Sequence, residues 1–167
     1  MRCPSCGIEN YSGEDACVNC GADLTSTDVP QDPGSFQGRL LGEHIEAIAV
    51  GDPPTIAPTE SAARAIARMQ AEGIDSLLVM HEGRLVGIVT DRDAILKLVD
   101  KQQLDLYDVR DVMTRDPVVL RPQDSLAVAI HKMAIGGFRH IPVMDGDRPV
   151  GIVAARDIFH HVLTVLE

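Results

Sequence analysis

Tryptophan is absent from this 167-residue chain, and aromatic residues of all kinds make up only 3% of it. Base-stacking platforms for single-stranded nucleic acid need such rings, so that mode of binding is poorly supplied. Positive charge is scarce as well: 15 Lys and Arg stand against 25 Asp and Glu, a formal net charge of −10. A polyanionic partner would be repelled over most of such a surface. No apolar run approaches the roughly 18 residues of a membrane span. The opening MRCPSCG lacks the apolar stretch of about 7–15 residues that marks a secretory signal. These absences predict a soluble, cytoplasmic chain with no membrane contact. The chain also has no G-x-x-x-x-G-K-[ST], G-x-S-x-G or H-E-x-x-H, which argues against an independent enzyme.

Cysteine is missing after residue 20, and all four cysteines precede that point. Cys3 and Cys6 form one C-x-x-C, and Cys17 and Cys20 form a second. Each pair places two thiolates on one tight turn, and two facing turns complete a tetrahedral four-sulfur shell for Zn2+. Disulfides or a redox dithiol are the competing uses. The first is disfavoured in a reducing compartment, and the second lacks its usual βαβ context. A closed thiolate shell leaves no position for a reacting water, so the expected metal is structural. Gly7 and Gly21 each follow the second cysteine of a pair, where the turn calls for positive φ. The stretch CPSCGIENYSGEDACVNCGADL resembles the short zinc ribbons found at the ends of many bacterial and archaeal proteins, with Ala16 where an aromatic often precedes the third cysteine. Among residues 1–38 only Arg2 opposes six carboxylates. That balance favours a protein partner over nucleic acid.

Residues 25–38, rich in Ser, Thr, Asp, Pro and Gly, read as a linker tethering the ribbon (1–24). From Arg39 the chain repeats itself at an offset of 64 without gaps, giving units 39–103 and 104–167. Asp52-Pro53 recurs as Asp116-Pro117, VGIV at 86–89 recurs at 150–153, and Arg92-Asp93 recurs as Arg156-Asp157. Such repetition is the dominant organising fact. In each unit an apolar stripe predicts a helix: Ala62, Ala65, Ile66 and Met69 before Gly73, then Leu126, Ala129, Ile130 and Met133 before Gly137. Two short apolar runs follow, SLLVM and LVGIV joined by HEGR, or HIPVM and PVGIV joined by DGDR. They predict a hairpin. A second helix begins near Asp91-Arg92. One unit leaves a sheet face uncovered, so two should pack as a single α/β body with pseudo-twofold symmetry. The two histidines His160-His161 point about 100° apart on a helix and cannot readily share a metal; a solvated or interface face is expected.

GIVTDRD at 87–93 matches the glycine-hydrophobic-x-Thr/Ser-x-x-Asp signature of CBS domains, and DVMTRDPVVLRPQDSLAVAIHKM resembles the opening of one. The resemblance covers about residues 39–167. It implies a tandem pair, or Bateman module, that binds AMP, ATP or a related adenosyl compound such as S-adenosylmethionine in clefts between the repeats and associates as a homodimer. It also implies that the base lies near Thr55 and Ile56.

The chemistry of the signature is compatible with that ligand. Thr90 and the first N–H groups of the following helix favour phosphate. Asp93 can accept from ribose hydroxyls and Arg92 can clamp phosphate. The second copy keeps Arg156 and Asp157 but has Ala154 in place of Thr90, a loss of about 0.5–1.5 kcal/mol for one hydrogen bond. Arg139 and His140 stand near enough in sequence to compensate. A plain capping role for Thr90 and Asp93 is the competing reading. The expected function is a ligand-sensing regulatory module whose ribbon conveys the state to an unidentified protein partner. The alternatives are a scaffold with vestigial clefts and a nucleic-acid reader using the ribbon.

Overall fold

The computed structural model describes residues 2–3, 5–11, 14–24, 38, 42–49, 51–101 and 103–166. The linker expected over 25–38 lies almost wholly outside them. The chain divides into two compact units: 51–118 with 144–151, and 1–50 with 119–143 and 152–167.

In the 51–118 unit a four-stranded sheet runs in the order β1 (Thr55–Ile56), β2 (Ser76–His81), β3 (Arg84–Thr90), β4 (Thr114–Arg115). β1 is parallel to β2, and the other pairs are antiparallel. Helices α1 (Ala62–Glu72), α2 (Asp91–Leu98) and α3 (Val109–Val112) complete the unit. Ser61 starts α1 by accepting from the Arg64 N–H at 3.2 Å, and the helix stops at Gly73 in the left-handed region. The predicted stripe turns Ala62, Ala65 and Met69 into a core with Ile56, Leu77, Val79, Val89, Leu98 and Val109. Each large aliphatic group so buried contributes about 1.5–3 kcal/mol. Leu78, on the opposite side of β2 from Leu77 and Val79, is fully buried too, which fits the unbroken apolar run SLLVM. At Gly87 the chain needs the smallest residue. A Cβ there would lie 2.9 Å from the Thr114 carbonyl oxygen and 2.5 Å from Met113 Sδ, so its absence lets β4 approach β3.

In the other unit α4 (Leu126–Gly136) follows the N-cap Ser125 and stops at Gly137, as the repeat predicts. β5 (His140–Asp145) and β6 (Arg148–Ala154) pair, with their turn residues 144–151 belonging to the first unit. α5 (Ala155–Leu166) continues from β6. The counterpart of β1 shrinks to one parallel bridge, Leu120 to Val143. Ile45, Leu120, Leu126, Ile141, Val143 and Val153 have no exposed surface and form the centre of this unit.

The compact units and the sequence repeats divide the chain differently, and backbone hydrogen bonds explain why. Tyr107 O accepts from Ala62 N at 2.7 Å and Val109 N donates to Glu60 O at 2.8 Å, so the opening of the second repeat seats on the first helix of the first. Reciprocally, Leu126 N donates to Glu43 O and Ile45 N to Asp124 O, both at 2.9 Å. All four contacts repeat at the same 64-residue offset. Each unit therefore takes its opening segment from the other repeat.

Candidate functional site

The two C-x-x-C turns are built alike. Cys3 N donates to Ile8 O and Gly7 N to Cys3 O; Cys17 N donates to Ala22 O and Gly21 N to Cys17 O, all within 2.8–2.9 Å. Gly7 and Gly21 adopt φ of 72° and 68°, as the turn requires. All four sulfurs lie within 4.8 Å of one another, with Cys3 Sγ 3.7 Å from Cys20 Sγ and Cys6 Sγ 3.5 Å from Cys17 Sγ. None is in a disulfide. Four sulfurs each about 2.3 Å from a central zinc would stand about 3.8 Å apart, so this donor set fits a tetrahedral ion. Among the described residues it is the one cluster of its kind.

Asn10, buried beside the cluster, braces it: Nδ2 lies 3.6 Å from Cys17 Sγ, and Oδ1 accepts from Val18 N at 2.9 Å. Burial pushes the Cys3 and Cys20 thiols up. Burial acts on Cys17 in the same sense but is outweighed by hydrogen bonds from the Cys20 and Asn19 N–H groups and from the Cys6 and Asn10 side chains, which hold it down at about 6. Sequence reasoning singled out the four cysteines but missed Asn10, whose role depends on a contact to a cysteine seven residues away.

In the first signature Thr90 closes β3 and caps α2. Its Oγ1 accepts from Asp93 N at 3.3 Å, while Asp93 Oδ2 accepts from Thr90 N at 3.0 Å and from Thr90 Oγ1 at 2.8 Å. Asp93 Oδ1 is 2.8 Å from Lys97 Nζ and accepts from Thr114 Oγ1 at 3.4 Å, leaving the carboxylate side chain 12% exposed. The capping geometry is thus present in full. Arg92 is exposed on the first turn of α2. Thr55 lies two strands from Thr90: it faces Leu78 across β1 and β2, while Ser76 faces Thr90. The Ile56 side chain sits in the core, so only its backbone is available to a ligand. Arg68 donates to the Thr55 carbonyl.

The second signature preserves half of this arrangement. Asp157 Oδ2 accepts from Ala154 N at 3.3 Å, and no hydroxyl returns the contact. The register position of Lys97 is taken by His161, which lies 3.4 Å from Glu43 Oε2 instead. Asp157 is left with Arg156 Nε at 3.9 Å and a side chain 44% exposed. Arg139 is exposed just before β5 and accepts from Ala155 N through its carbonyl; His140, half-buried, begins β5. Neither His160 nor His161 belongs to a metal-competent cluster among the described residues.

The cysteine turns also touch the body of their unit. Ser125 Oγ donates to Ser5 O at 2.8 Å, and His131 Nε2 lies 3.0 Å from Gly21 O. Beside the first of these contacts opens a cavity of about 500 Å³ lined by Arg2, Ser5, Cys6, His44, Gln123 and Ser125.

Two in-register units of helix, hairpin and helix, each with a carboxylate closed on a strand-to-helix turn, define a tandem α/β module. The CBS domain family matches residues 45–100 and 109–164, more than half of the sequence, and the chain belongs to that family. It is 31% identical over 137 residues to the CBS domain-containing protein CBSCBSPB5 of Arabidopsis thaliana, covering 80% of this chain and 25% of that one. The chain thus spans a quarter of that relative's length. Among solved structures, the hexameric CBS-CP12 protein from bloom-forming cyanobacteria is 25% identical with a TM-score of 0.68, over 74% of this chain and 73% of that one. CBSX2, solved in complex with AMP, is 23% identical with a TM-score of 0.64, over 75% of this chain and all of that one. The mixed α/β architecture of a CBS-domain pair is therefore established. Among the described residues no helix is long and apolar enough to cross a membrane.

Proposed function

We propose that this chain is a non-enzymatic ligand-sensing module of the cytoplasm that binds an adenine nucleotide or an S-adenosylmethionine-like compound at its strand-to-helix turns. The observation that carries the reading is the twofold recurrence of one turn, in which Asp93 and Asp157 close on the N–H of the residue ending the strand, within a chain of the CBS family. Thr90, Arg92 and Asp93 serve the first site with Thr55 and the Ile56 backbone; Arg139, His140, Arg156 and Asp157 serve the second. CBSX2, of the same fold, was solved with AMP, and the proposal extends that ligand class to this chain. Cys3, Cys6, Cys17 and Cys20 hold a structural Zn2+, supported by sulfur spacings close to those of a tetrahedral site. Ile95 on α2 and Val99 just past its end, with their register counterparts Phe159 and Leu163 on α5, are exposed apolar groups and support assembly as a homodimer.

A second reading, a protein-interaction scaffold without a ligand, is favoured by one observation: Asp93 is already satisfied by Thr90 and Lys97. Calorimetric titration of zinc-loaded protein with AMP, ADP, ATP and S-adenosylmethionine separates the two. The sensor predicts saturable binding of one of them, weakened at least about tenfold in Asp93→Ala or Asp157→Ala, because charge-assisted hydrogen bonds contribute about 1.5–3 kcal/mol. Silence of all four at millimolar concentration leaves the scaffold.

A further inference from the structure

Both cysteine turns are fastened to one helix of the second repeat. Ser5, inside the first C-x-x-C, takes a hydrogen bond from Ser125 at the start of α4, and Gly21, next to Cys20, lies against His131 six residues further along. Val128 falls between them on the same helical stripe and is 1% exposed. The first repeat shows the same stripe in its solvated form. There the counterparts of Val128 and His131 are Arg64 and Ala67. Arg64 has a side chain 73% exposed and pairs with Glu60 at 2.7 Å. The second repeat keeps the serine, Ser61 in the first and Ser125 here, but has apolar Val128 where the first has charged Arg64 and the polar anchor His131 where the first has Ala67, on the surface where the ribbon attaches.

We infer that this stripe of α4 is a seat for the ribbon and that metal held by the four cysteines controls its occupation. The inference rests on the metal-centre reading of that cluster. Ser5 and Gly21 present their carbonyls from turns whose shape is set by converging thiolates, and small metal-held segments lose their fold without the ion. Loss of metal removes both anchors together and opens the Val128 stripe to water. The ribbon is then an internal clasp, and metal occupancy is an input to the second repeat.

The test follows hydrogen exchange by mass spectrometry in the full chain loaded with zinc, before and after chelation, comparing peptides over 125–136 with those over 61–72. Loss of two anchoring hydrogen bonds should speed exchange in α4 by about tenfold while α1 stays unchanged. His131→Ala, which alters no cysteine, should keep its zinc and yet loosen the same α4 peptides. If zinc binds stoichiometrically and α4 ignores both chelation and His131→Ala, the clasp is overturned and the metal centre stands. Equal acceleration in α1 also overturns the clasp, since it signals general loosening. If the chain takes up no zinc, both readings fall.

Discussion

Asp93 and Asp157 hold the same place in the repeat but have different company. Lys97 and Thr90 enclose the first, whereas His161 turns to Glu43 and leaves the second half open. The Thr90 hydroxyl both gives to and takes from the Asp93 turn, so Thr90→Ala should lower stability by about 1 kcal/mol, read as a shifted urea midpoint at unchanged slope. An unchanged midpoint would mean that the backbone half of the box, which Ala154 retains, suffices. The capping pair was legible in the sequence because its residues are three apart and the motif is local. The divergence of Lys97 and His161 was not, since Glu43 and His161 lie far apart along the chain.

Among the elements, the long ones were written plainly. The apolar stripes and the glycine stops set α1 and α4, and the apolar runs marked both hairpins. Elements too short for any period escaped: β1 and β4 have two residues each and α3 has four. β4 exists because Gly87 presents no side chain to it. Gly87→Ala should therefore displace β4 and cost about 1–3 kcal/mol, as overpacking does, with thermal unfolding as the measure and loss of β4 amide protection as the local signature. Stability equal to the parent's would show that Met113 can swing aside and that the Thr114 backbone can yield.

For the whole molecule, the 64-residue repeat and the cysteine cluster carried most of the reading, because both are patterns of spacing. Attachment of the two cysteine turns to α4 was not legible: Ser125 and His131 look like ordinary helix residues until their partners at Ser5 and Gly21 are seen. The electrostatics of the cluster yield a further expectation. Cys3 and Cys20 are pushed up by burial and so remain protonated at neutral pH, whereas Cys17 at about 6 is largely ionised there. Metal binds thiolates, so loading at pH 7 must expel protons from at least Cys3 and Cys20, and affinity should rise with pH. Zinc titrations in buffers of different ionisation enthalpy measure this directly; heat independent of the buffer would contradict it.

The reciprocal seating of Tyr107–Val109 on α1 and of Glu43–Ile45 on α4 has a genealogical consequence. A protein made of one such repeat carries that strip, yet here each strip seats on the helix of the other copy, so the same seating between single repeats takes two molecules that exchange their strips. The half-length forebear implied by the duplication would thus have lived as an exchanged pair. Joining the two copies in one chain turned a concentration-dependent embrace into a covalent certainty, and it freed the copies to drift apart, as Thr90 and Ala154 have done.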